Sequence, residues 1–134
     1  MTAKHLGNLT ELLCITAFYK EGYPVSIPYG ENSNYDFIAD ISGRLIRVQV
    51  KTASKNQNES YSFSGRHNNK CYTKTSIDFF ATYFNDSCYL IPVNECSTEK
   101  TLWLHTPKNN QLKNIHFAEE YLLSTQLKKL QVGD

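Results

Sequence analysis

Leu45-Ile46-Arg47-Val48-Gln49-Val50-Lys51 is the stretch whose reading decides the fold. Its residues alternate. If the chain is extended here, Ile46, Val48 and Val50 face one side, and Arg47, Gln49 and Lys51 face the other. One face is β-branched core. The other sets an amide beside an ammonium, one pleat apart. A strand rarely carries a long cation on an inner face without a reason, because burying an unpaired charge is costly. Upstream, Tyr35-Asp36-Phe37-Ile38 opens a second apolar run with a carboxylate. An acid at the start of one strand and a Gln-x-Lys on the next can converge on one point, which is a candidate active site.

Working outward, the chain has 134 residues, the length of one domain, so residues 1–134 are expected to form a single unit. Hydrophobic residues make up 40% of it, enough for a sizeable core. The net charge of +1 is silent about a polyanionic partner, but its distribution is not. Between Arg44 and Lys74 lie Arg44, Arg47, Lys51, Lys55, Arg66, Lys70 and Lys74 against one acid, Glu59. Such a stretch polarises the field of a small domain.

The four cysteines, Cys14, Cys71, Cys88 and Cys96, form no C-x-x-C pair. Three lie in or beside apolar runs, as buried thiols do. His67 and Cys71 have the spacing of half a zinc site, with no matching second half. The opening Met-Thr-Ala-Lys-His has no signal-peptide pattern, and no apolar run approaches the ~20 residues that span a bilayer. The expectation is a cytoplasmic protein with reduced thiols and no membrane partner.

Residues 4–21 read as a helix, with Leu6, Leu9, Leu13 and Ala17 at helical spacing and Gly22 and Pro24 as the stop. Glu11 has Gly7, Ile15 and Phe18 at i−4, i+4 and i+7, so it does not lie on a fully polar face. Read alone it is the edge of the apolar stripe, and read with Asp36 it is an acid aimed beneath the helix. Residues 23–27, 35–41 and 44–53 read as strands, the last two joined by a Ser42-Gly43 hairpin turn. Residues 54–75 are polar and read as an insertion, with 60–64 as a strand, 71–73 as its return and the tip between them. A helix is expected from Ser76, with Asp78 in its first turn and Phe79, Phe80, Tyr83 and Phe84 as its aromatic face. Strands are expected at 88–93 and 101–106, then a loop, then an amphipathic segment at 117–130. The fold class is α/β (α+β), with a mixed central sheet flanked by helices and a projecting β-hairpin.

Metal-assisted phosphodiester hydrolysis needs hard oxygen ligands, a polarised phosphate and a cation near the attacked phosphorus. Asp36 can serve as a carboxylate ligand. The Val50 carbonyl and the Gln49 amide oxygen can serve as neutral ones. Lys51 can orient the attacking water and stabilise the extra charge. Glu11 can add a second acid from the helix.

Gly7-Asn8-Leu9-Thr10-Glu11, Gly22-Tyr23-x-Val25-x-x-Pro28, Tyr35-Asp36-Phe37 and Val48-Gln49-Val50-Lys51-Thr52 carry a resemblance. Together they resemble the PD-(D/E)XK nuclease superfamily, and more narrowly its branch of homing endonucleases encoded in cyanobacterial group I introns. The resemblance implies a restriction-endonuclease-like fold and Mg²⁺-dependent, site-specific cleavage of double-stranded DNA, with Mn²⁺ as a substitute. By motif position it places catalysis on Glu11, Asp36, Gln49 and Lys51. Tyr35 stands where the motif name has Pro. Gln49 stands where it has an acid, which removes a negative charge unless Glu11 restores it; the narrower branch resembles this chain in having Gln there.

The polar insertion then gains a role. A two-stranded ribbon fits the major groove. Lys55, Ser60, Ser62, Ser64, Arg66, His67, Asn68, Asn69, Lys70 and Lys74 are the residue types that read bases or hold phosphates. One site cuts one strand, so a homodimer or a dimer of dimers is expected, with the 79–84 helix or the C-terminal segment as candidate interfaces. Two other readings stay open: a structure-selective nuclease such as a Holliday-junction resolvase, and a DNA-binding module without catalysis.

Overall fold

The computed structural model describes residues 1–110 and 112–132. Helix α1 (Ala3–Lys20) starts where the Thr2 hydroxyl accepts the His5 N–H at 3.1 Å, satisfying an otherwise orphan donor. It stops where Gly22 takes φ +91° and the Tyr23 N–H reaches back to the Phe18 carbonyl. The chain then forms β1 (Val25–Ser26), β2 (Phe37–Ile41) and β3 (Arg44–Val50). Ser42 and Gly43 both have positive φ, the geometry of a tight two-residue hairpin, and β2 pairs antiparallel with β3.

A long crossover follows, carrying β4 (Ser54–Lys55), β5 (Ser60–Ser64), β6 (Arg66–His67) and β7 (Lys70–Cys71). It leads to β8 (Phe79–Phe84), which lies parallel to β3, and β9 (Ser87–Pro92) returns beside it. The order β1-β2-β3-β8-β9 is a mixed five-stranded sheet. Last come β10 (Glu99–Trp103), a 3₁₀ turn over Ala118–Tyr121 and α2 (Leu123–Val132).

Both faces of the sheet are covered. On one, α1 and α2 bury Cys14, Phe18, Phe37, Val48, Ala81 and Leu127. On the other, the small sheet β10-β5-β4 and the 3₁₀ turn bury Phe63, Phe80, Phe84, Ile91, Leu102 and Tyr121. No helix among the described residues is long and apolar enough to cross a membrane.

Three expectations are corrected. Residues 79–84 form the strand β8, not a helix. The strand is buried on both faces, and a run apolar on every side carries no periodicity to tell strand from helix. That position inside the sheet also removes it as an interface. Asp78 is not an N-terminal helix residue: its carboxylate accepts the Arg47 backbone N–H at 2.8 Å and pairs with the Arg47 guanidinium at 3.1 Å. Finally, 60–64 does not pair with 71–73. It pairs with β4 and β10, and β6 and β7 form a separate ribbon turned by Asn68 and Asn69, both at positive φ.

Candidate active site

The site lies where β2 begins and β3 ends. Phe37 pairs with Val48, which sets Asp36 opposite the last residues of β3. The Asp36 N–H donates to the Val48 carbonyl at 2.8 Å, and Asp36 Oδ2 accepts the Val50 N–H at 2.7 Å. The carboxylate is therefore fixed by backbone, not by side-chain chance. Beyond Val50 the strand still holds to the sheet, because the Lys51 N–H donates to the Ala81 carbonyl at 2.9 Å. Val48 packs into the helix-side core, with Val50 against it, while Gln49 pairs with Phe80, whose ring lies in the opposite core.

Glu11 enters from α1. It and Asp36 line one cleft of about 200 Å³ with Ile27, Pro28, Glu31 and Tyr35. Burial raises the Glu11 carboxyl above its ordinary value, and the Asp36 charge raises it further. Burial likewise raises Asp36, only partly offset by the Val50 N–H and the Lys51 charge. Two partly buried carboxylates thus share one cleft, each held above its ordinary value first by burial. Gln49 Nε2 donates to the Val50 carbonyl at 3.2 Å, so its amide oxygen is the atom left for another partner.

The Lys51 ammonium donates to the Arg66 carbonyl at 2.9 Å and lies 5.0 Å from the centre of the Tyr72 ring. Burial lowers its proton affinity, and the Asp36 charge opposes that. Asp36 thus links Glu11, with which it shares the cleft, Val50, whose N–H it accepts, and Lys51, which feels its charge, while Gln49 neighbours them along β3. Among the described residues no group of three or more His, Cys, Asp or Glu is placed to hold a metal. The two carboxylates that share this cleft are hard oxygen donors.

The polar insertion divides. Lys55, Ser64, Arg66, His67, Asn68, Asn69, Lys70 and Lys74 are exposed. Ser60 is not: it is 1% exposed, and its hydroxyl accepts the Asn56 amide N–H, so it cannot meet a duplex. Ser62 is half-buried, its hydroxyl tied to Thr101 at 2.8 Å and to Asn56 at 2.9 Å. Both serines belong to the inner fabric of the small sheet, because β5 is its central strand. Arg47, one of the cations of the basic stretch, is also committed internally, to Asp78 and to the carbonyls of Lys74 and Thr75. Tyr72 is the residue the sequence did not mark; no local pattern joins it to a lysine so far back in the chain.

A family model described as PD-(D/E)XK endonuclease matches residues 1–124. The fold is similar to the solved structure of a bacterial homing endonuclease, I-Ssp6803I, with a TM-score of 0.74 and 24% identity over 97% of this chain and 93% of that one. No curated protein matches by sequence.

Proposed function

The chain belongs to the PD-(D/E)XK endonuclease family, and from that premise we propose a Mg²⁺-dependent, site-specific endonuclease of the homing type that hydrolyses phosphodiester bonds of double-stranded DNA. The observation that carries this reading is the Asp36 carboxylate held against the end of β3 by the Val50 N–H, with Glu11 in the same cleft and Lys51 within its field.

The corner fits a hard divalent cation. Asp36 and Glu11 share a cleft in which burial disfavours their charges, and their carboxylates are hard oxygen donors. Asp36, Glu11, the Val50 carbonyl and the Gln49 amide oxygen would hold Mg²⁺, or Mn²⁺ in its place. When bound, the ion polarises the phosphate and acidifies a water. The chain's own part is positional. Asp36 is oriented by backbone. Gln49 is neutral, so Glu11 supplies the second negative charge. Lys51 orients the attacking water and offsets the charge that builds on the phosphate oxygens. The exposed cations Lys55, Arg66, Lys70 and Lys74, with Ser64, His67, Asn68 and Asn69, hold the duplex beside this corner. Two copies are needed to cut both strands, so the active species is a homodimer or a dimer of dimers.

The test is nicking of a supercoiled plasmid library with Mg²⁺ or Mn²⁺. Lys51→Ala is expected to slow cleavage ~100–1,000-fold at saturating DNA while sparing affinity. If neither metal supports any nicking by the unaltered protein, the proposal fails.

A further inference from the structure

We propose that Tyr72 is a positioning residue that, with the Arg66 carbonyl, clamps the Lys51 ammonium, so that the β6–β7 ribbon and the reacting corner are mechanically one unit. The proposal rests on the endonuclease reading above.

A lysine side chain has four rotatable bonds and presents a point charge, so on its own it is poorly aimed. Here it has two partners from one ribbon. Arg66, in β6, supplies the carbonyl at 2.9 Å, and Tyr72, just past β7, supplies a ring face at 5.0 Å. An ammonium is attracted to the negative face of such a ring. It has three N–H donors, and the Arg66 carbonyl uses one, leaving two for a phosphate and a water.

The ring is itself fixed. It meets Phe80 edge-on at 5.5 Å with an interplanar angle of 89°, and Phe80 pairs in register with Gln49. The Tyr72 N–H donates to the Gly65 carbonyl at 3.1 Å, and the Gly65 N–H donates to the Thr98 carbonyl at 3.0 Å. Any side chain at Gly65 would collide with the Ser97 backbone and Cys96 Sγ, so the ribbon leaves the small sheet at one defined point. A duplex resting on Arg66 and Lys70 therefore loads the same backbone that holds Lys51.

The experiment compares Tyr72→Leu with Tyr72→Phe. Leucine keeps apolar packing on Phe80 but removes the π face, and phenylalanine keeps both. The single-turnover rate on plasmid DNA at saturating protein is expected to fall at least tenfold in Tyr72→Leu and to be rescued in Tyr72→Phe. The Kd for DNA should stay within threefold in both. In NMR spectra without DNA, the Lys51 ε-methylene protons should lie upfield of other lysines in the unaltered protein and in Tyr72→Phe, and return in Tyr72→Leu. Equal cleavage by Tyr72→Leu and the unaltered protein overturns the inference while leaving the endonuclease reading intact. So does an unshifted Lys51 resonance in the unaltered protein, or a rate loss matched by an equal loss of affinity. Absence of cleavage by the unaltered protein is the failure of the endonuclease reading itself, and the inference falls with it.

Discussion

Asp36 and Glu11 are electrostatically uncomfortable, and the discomfort has a sign. Burial raises both carboxyls; the Asp36 charge raises Glu11 further, while the Val50 N–H and the Lys51 charge offset Asp36 only in part. A carboxyl whose folded pKa lies above its unfolded value binds its proton more tightly when folded. The stability it contributes is present at low pH and is lost as pH rises through the folded pKa. At pH 7 the ionised Asp36 therefore works against folding. Asp36→Asn keeps an oxygen that can accept the Val50 N–H and removes the charge. Without metal it is expected to raise the melting temperature at pH 7 by about 3 °C, with the gain shrinking as pH falls into the ordinary carboxylate range. The same substitution is expected to abolish cleavage. A thermal scan from pH 4 to pH 8 checks the first, and a pH-independent difference would show that the effect is not electrostatic. Lys51 was legible as an awkward cation on an inner face; what holds it was not, because Arg66 and Tyr72 meet it only through the crossover.

Among the elements, β2, the turn and β3 could be read almost residue by residue, because alternation and Ser42-Gly43 state the same hairpin twice. β8 could not. Its Phe79-Phe80-Ala81-Thr82-Tyr83-Phe84 run is apolar toward both layers, so burial erased the period that distinguishes strand from helix. A signal was nevertheless there. Asn85 and Asp86 both take positive φ and join β8 to β9 with Phe84 opposite Ser87, and an Asn-Asp pair between two apolar runs is a hairpin signature. Inside β8, Thr82 is fully buried, and its hydroxyl has no hydrogen-bond partner among the described residues. An unsatisfied buried hydroxyl costs about 1–3 kcal/mol. Thr82→Val keeps the shape and the β-branch and removes the hydroxyl. Chemical denaturation should show it about 1 kcal/mol more stable, with an unchanged m-value. A loss of stability would mean that the hydroxyl has a partner after all.

At the scale of the whole molecule, a net charge of +1 hides a division of labour among the cations. Arg47 is spent on the fold, tying the 74–78 segment to β3. Lys51 is held by the Arg66 carbonyl beside the proposed active site. Arg66 and Lys70 stand exposed on the two strands of the ribbon, whose register sets Arg66 opposite Cys71 and His67 opposite Lys70. The sequence showed these as one basic stretch, because charge along a chain does not reveal which guanidinium already has a carboxylate. The distinction makes the classes separable by salt. Each phosphate neutralised releases counterions, and log K falls against log salt with a slope of about −0.9 per contact on duplex DNA. Replacing Arg66 and Lys70 together with alanine should weaken binding and make that slope shallower by about 1.8. Arg47→Ala should leave the slope unchanged and instead lower stability by about 1–2 kcal/mol, since it abandons Asp78 and two carbonyls. Fluorescence anisotropy across a salt series, beside denaturation of the same variants, separates the two classes. A slope that moves with Arg47 but not with Arg66 and Lys70 would show that the ribbon does not hold the duplex.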